Sequence, residues 1–159
     1  MEEVERTSEF LTLSSIIDNT ESYNPEIETV DFKIFQTTDV IGNTIFLTSN
    51  TLNEHIAGES GDHPERHYLL LKSNLKKIQK IVEQPIQIYK DKGQHENPRL
   101  NFFGLTTFES QNRLKNVKIV CEEVKVGELK IITIFPTRNI NEISEGRAIY
   151  DFYAETKIL

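Results

Sequence analysis

The chain is short of cysteine, of long apolar runs and, over its first third, of positive charge. Cys121 is the single cysteine in 159 residues, which excludes an internal disulfide framework and a multi-cysteine zinc site. It lies in the apolar run Val117-Lys-Ile-Val-Cys-Glu and reads as a small buried hydrophobe rather than a nucleophile. No apolar run approaches the length of a membrane span, and the acidic start does not have the pattern of a signal peptide, so no membrane partner and a cytoplasmic location are expected. Residues 1–48 hold only two basic side chains, Arg6 and Lys33, against ten acidic ones. That accounts for the net charge of −7, because residues 49–159 carry sixteen basic and fifteen acidic groups. Within residues 64–99 the balance reverses, with eight basic groups against four acidic.

The length fits one domain with an N-terminal appendage: an acidic extension over residues 1–40, containing a helix and a strand, and a main domain over residues 41–159. In the extension, Phe10, Leu11, Leu13, Ile16 and Ile17 are compatible with a short amphipathic helix, and Val30 to Phe35 alternates weakly like a strand. A strand is expected over Thr44–Thr48, then a helix capped by Ser49 or Asn50 and ended by Gly58 to Asp62. Pro64 opens a longer helix to about Val82, with Leu71, Leu75, Ile78 and Ile81 at helical spacing. After Pro85 come four strands: Ile86–Lys90, Leu100–Leu105, Val117–Val124 and Leu129–Phe135, the last two joined at Gly127. Arg147–Lys157 reads as a closing helix with Ile149, Phe152 and Tyr153 on one side. The expected class is α+β, helices packed on a four-stranded antiparallel sheet.

Three of the four histidines, His55, His63 and His67, fall within thirteen residues and beside the most basic segment. Imidazole titrates near neutral pH, so such a cluster suits proton transfer or metal binding. Three readings fit the residues. The histidines sit at helix ends and on the surface without further role. Alternatively, His63 and His67, four apart on a helix, bind zinc with His55 as third ligand, although the metalloprotease order of Glu and His is absent. In the third, they serve metal-independent phosphodiester cleavage. That chemistry needs a base for a 2′-hydroxyl, an acid for the leaving oxygen and donors around the phosphorane. His55 and His63 suit the acid–base roles, Arg66 offers a planar fork for phosphate, and Thr133 and Thr137 add hydroxyls from the last strand.

The order of Asn53-Glu-His55-Ile56, His63-Pro64-Glu65, Gln84-Pro85-Ile86-Gln-Ile88 and Thr133-Ile-Phe-Pro136-Thr137 resembles the barnase–EndoU–colicin–RelE-like nucleases of phages and toxins over about residues 40 to 140. The resemblance implies that fold and a metal-independent ribonuclease cleaving RNA, often transfer RNA, by 2′-hydroxyl attack. It places catalytic roles on His55, His63 and Thr133, to which the residue chemistry adds Arg66. His67, Tyr89, Thr137 and Arg138 are the candidate substrate-binding residues. No cofactor and no metal are expected; RNA, with an immunity or antitoxin protein, is the implied partner. The reading from a different class is a catalytically inactive adaptor of phage origin that binds a host protein. The acidic first third is expected to cover the basic segment as a mimic of phosphate, or to dock a partner. His95, in a polar loop, is given no role.

Overall fold

A computed structural model describes residues 31–57, 64–91, 93–137 and 148–153. The helix expected within residues 1–30 lies outside them. Seven strands form one mixed sheet: β1 (Lys33–Thr38), β2 (Thr44–Thr48), β3 (Gln87–Lys90), β4 (Arg99–Thr107), β5 (Leu114–Lys125), β6 (Glu128–Thr137) and β7 (Ala148–Asp151). Their spatial order is β1-β2-β6-β5-β4-β3-β7. This corrects the expected four-stranded antiparallel sheet under packed helices. The four expected strands are present as the antiparallel meander β3 to β6, but the sheet extends past both of its ends. On one side β2 runs parallel to β6, in register from Thr44↔Glu128 to Phe46↔Lys130, and carries β1 as its hairpin partner. On the other side β7 pairs antiparallel with β3.

The closing helix expected over Arg147–Lys157 is corrected in its first part: Ala148–Asp151 is an edge strand, Phe152 and Tyr153 are helical, and the rest of that span lies outside the described residues. Ile149, Phe152 and Tyr153 have the spacing of a helical stripe, and all three are exposed.

The helical content is small. α1 (Ser49–Thr51) continues directly into a π-helical turn, Leu52–Ala57. Its cap is Thr48, one residue before the expected cap, with Oγ1 accepting from the Thr51 backbone N–H. The long helix expected from Pro64 is broken in two. Pro64–Leu70 forms a 3-10 segment that leaves helical geometry at Arg66, and Leu71 is extended. Regular α-helix, α2, spans only Lys72–Glu83.

α2 and the helical turns cover one face of the sheet. Its buried residues Leu75, Ile78, Ile81 and Val82 belong to one core cluster with Ile45 and Leu47 of β2, Leu129, Ile131 and Ile134 of β6, Ile119 and Cys121 of β5, and Phe102 of β4. Burial of this set removes apolar surface from water at roughly 25 cal/mol per Å² and supplies the main driving force for the fold. Cys121 is completely buried here, and burial pushes its thiol well above the ordinary range.

Two local features set what emerges on the other face, which we term the outer face. Gly127 turns the β5–β6 hairpin at φ +78°, a conformation that a Cβ would strain. In β6, Val120 pairs with Thr133 while Cys121 pairs with Ile131, so Ile132 is an extra residue. This bulge shifts the alternation: Ile131 and Ile134 are both in the core, and Ile132 and Thr133 are partly exposed between them.

Candidate functional site

The sheet register brings residues far apart in sequence into rows across the outer face. One row reads Gln36↔Phe46↔Lys130↔Glu122↔Arg99, drawn from five strands. Asp91 extends it, since its backbone N–H donates to the Arg99 carbonyl. The next row reads Thr133↔Val120↔Asn101↔Tyr89↔Ala148. The first row is thus rich in alternating charge, and the second is mainly covered and apolar.

Past Phe46↔Lys130, β2 ends and the chain turns into α1 and the π-helical turn, which packs against β6. The divergence opens a groove of about 450 Å³. Asp31, Asn50, Glu54 and His55 line one wall, and Arg99, Glu122 and Lys130 line the other. Asp31 is occupied structurally: its Oδ1 accepts from the Ser49 hydroxyl and from the Asn50 backbone N–H, fixing the start of α1. His55 is exposed, with Nε2 3.9 Å from the Glu54 carboxylate. Arg99 Nε donates to Glu122 Oε2 at 3.1 Å, and Asn97 Nδ2 donates to the other oxygen at 3.3 Å. Three carboxylates (Asp31, Glu54 and Glu122), an imidazole and two cations therefore share one open polar groove.

The remaining sequence candidates are dispersed. Arg66 does not line this groove. Its Nη1 donates to the Ile134 carbonyl at 2.8 Å, and its guanidinium lies 4.8 Å from the centroid of the Phe135 ring. It thereby satisfies the edge of β6 where β2 no longer pairs with it. Partial burial lowers the Arg66 pKa, against the opposing influence of Glu65 and Tyr68. Thr133 stands one row away from the groove, opposite Val120. Tyr89 is only 7 % exposed and meets Phe103 edge-on at 5.6 Å, so its ring is covered rather than presented for stacking. His63 and Arg138 lie outside the described residues, as do the side chains of His67 and Thr137.

Glu122, Arg99 and Lys130 were missed by reading along the chain because only cross-strand register unites them. The turn at Gly127 alone would set Lys130 opposite Glu123; the extra residue Val124 shifts the register so that Lys130 meets Glu122.

A second polar cluster adjoins the Arg99 end of the row. Asp91 Oδ1 accepts from the Gly93 backbone N–H at 2.8 Å and lies 3.2 Å from His95 Nε2, and Asp91 Oδ2 accepts from Asn101 Nδ2 at 3.3 Å. Burial alone would raise the Asp91 carboxyl. The hydrogen bonds from Gly93, Asn101 and His95, with the charge of His95, outweigh it and hold the pKa below the usual value. Asn101 is fully buried, and among the described residues its Oδ1 has no hydrogen-bond partner.

Among the described residues no three histidine, cysteine or acidic side chains are grouped so as to hold a metal ion. No helix among them is long and apolar enough to cross a membrane. No protein-family profile, curated protein or solved structure matches the chain.

Proposed function

We propose that the chain is a metal-independent ribonuclease acting by 2′-hydroxyl attack, with His55 as an acid–base group in the groove between the π-helical turn and the outer face. The observation that carries this reading is the convergence of His55 with Glu122, Arg99 and Lys130 on one groove. Transesterification of RNA needs one group to take the 2′ proton and another to protonate the 5′ oxygen. An imidazole and a carboxylate supply that pair, and two cations offset the charge that builds on the phosphorane. Glu122 takes the place that reading along the chain gave to His63, and Arg99 and Lys130 the place given to Arg66. RNA with an unpaired segment is the substrate class, since only RNA carries the internal nucleophile and an open groove admits a single strand.

The test is incubation of the protein with total RNA in EDTA. Cleavage is expected, and His55→Ala should lower it about 100-fold or more, the contribution of a general acid or base. Glu122→Gln should act in the same direction, with thermal melts checking that each variant folds. Absence of cleavage over a broad pH range, or full activity in His55→Ala, would sink the reading. The second reading, a non-catalytic binding protein, is favoured by one observation: Arg66 is committed to a backbone carbonyl and an aromatic face. RNA binding without cleavage would support it.

A further inference from the structure

On the edge of the sheet away from the His55 groove, β4 outruns β3. Its pairing with β3 ends at Gln87↔Phe103, whereas its pairing with β5 continues to Thr107↔Leu114. Among the described residues, Gly104 to Thr107 therefore have a strand on one side only. α2 passes close above: a Cβ on Gly104 would stand 2.7 Å from Ile81 Cγ2. Between helix and strand edge lies a cavity of about 170 Å³, lined by Ile81, Ile86, Leu105, Thr106 and the two lysines Lys77 and Lys80. Among the described residues no carboxylate lines it. Leu105 is 44 % exposed, although it adjoins buried Gly104. Lys76 and Lys80 are exposed on α2, and Lys77 Nζ donates to the Thr107 carbonyl at the end of β4.

The site is apolar at its floor, cationic at its rim and open along a strand edge. The chain itself holds a segment of opposite character. Residues 1–30 carry eight acidic groups and one basic, and residues 3–19 include the apolar set Phe10, Leu11, Leu13, Ile16 and Ile17. We propose that residues 3–19 dock on the α2–β4 groove of their own chain, apolar side chains against Ile81, Ile86 and Leu105, carboxylates against Lys76, Lys77 and Lys80.

Reach permits it. Asp31 leads into β1, and four strand steps separate β1 from β4, a distance of about 19 Å at the usual spacing. Residues 20–30, if extended, span up to about 36 Å. The linker thus crosses the sheet with slack, and tethering raises the effective concentration of the docking segment into the millimolar range. The contact depends on charge, so it weakens as salt shortens the screening length.

The test is paramagnetic relaxation in the full chain carrying Ser8→Cys with a nitroxide; Cys121 is buried and leaves residue 8 as the accessible thiol. The amide signals of Leu105, Thr106 and Lys80 are expected to be lost to broadening at low salt. They should return at high salt, and return equally in Lys76→Glu/Lys80→Glu, which changes exposed side chains only. Signals that stay sharp at the groove, or broadening indifferent to salt and to charge reversal, would overturn the proposal. So would broadening that persists when nitroxide-bearing chains without isotope are mixed with isotope-labelled chains without nitroxide, because the segment would then come from a second copy.

Discussion

Adding one methyl group at Gly104 tests how firmly α2 is seated on the sheet. The backbone there does not need glycine, since its φ is not in the left-handed region. Alanine should then gain about 0.5–1 kcal/mol from lower conformational entropy in the unfolded chain. Against this stands the contact geometry. The new Cβ would lie 2.7 Å from Ile81 Cγ2 and 3.0 Å from Ile81 Cγ1, both within a closely packed core. Two of the three nearest atoms are branches of Ile81 at 3.0 Å or less, so Ile81 must shift toward the α2–β4 cavity or the helix must lift. Overpacking of this kind costs about 1–3 kcal/mol, which outweighs the entropic gain. Gly104→Ala is therefore expected to destabilise the protein by about 1–2 kcal/mol net, read in urea unfolding. In thermal melts that corresponds to a drop of about 2–4 °C per kcal/mol for a chain of this size. The double-mutant cycle makes the cause specific. Ile81→Ala alone should cost about 2–5 kcal/mol as a buried truncation. In that background Gly104→Ala no longer meets Cγ1 or Cγ2 and should become neutral or stabilising, giving a coupling of about 2 kcal/mol. If Gly104→Ala had the same effect in both backgrounds, the argument from close approach would be refuted.

Two further outcomes bear on the polar groups. Arg66→Ala is expected to lower stability by about 1–2 kcal/mol through loss of the Ile134 hydrogen bond and the Phe135 stack, and Arg66→Lys should recover only part of it in urea unfolding. Asp91 gives a pH signature: its carboxyl is held below its usual value in the folded protein, so its contribution to stability is present above the unfolded pKa and lost as pH falls through the folded one. The stability gap between wild type and Asp91→Asn should therefore be full at neutral pH and narrow below about pH 4, in unfolding curves taken across that range; a gap that widened on acidification would contradict the hydrogen-bond account.

The meander was legible in the sequence because local signals define it. Ile86–Lys90 and Leu129–Phe135 alternate or run apolar between Pro85, the polar loop and Gly127, and each strand pairs with its neighbour in the chain. The parallel pairing of β2 with β6 left no local trace, since Thr44 and Glu128 meet across most of the domain. Ala148–Asp151 reads as helix because Ile149 falls at helical spacing with Phe152 and Tyr153, which are helical, whereas pairing with β3 makes it an edge strand. Thr133 shows how one bulge defeats parity: strict alternation from Ile131 would turn it into the core, and the extra residue Ile132 turns it outward. Half of the candidate site was legible in His55, an exposed imidazole on a short helical turn. The other half, Arg99, Glu122 and Lys130, exists only after three strands are aligned.

The parallel contact between β2 and β6 also fixes an order of events. Hairpins β4–β5 and β5–β6 close small loops and can form early, because little chain entropy is lost in bringing their strands together. β2 has no place to dock until β6 exists, and the β1–β2 hairpin precedes β6 in the chain by some eighty residues. During synthesis that hairpin must wait, with one edge of β2 unpaired, until the last long strand has been made. Sheet closure at the β2–β6 seam is thus a non-local step, of the kind whose loop-closure entropy slows folding. The His55 groove is formed by that same seam, so its two walls come together only when the seam closes.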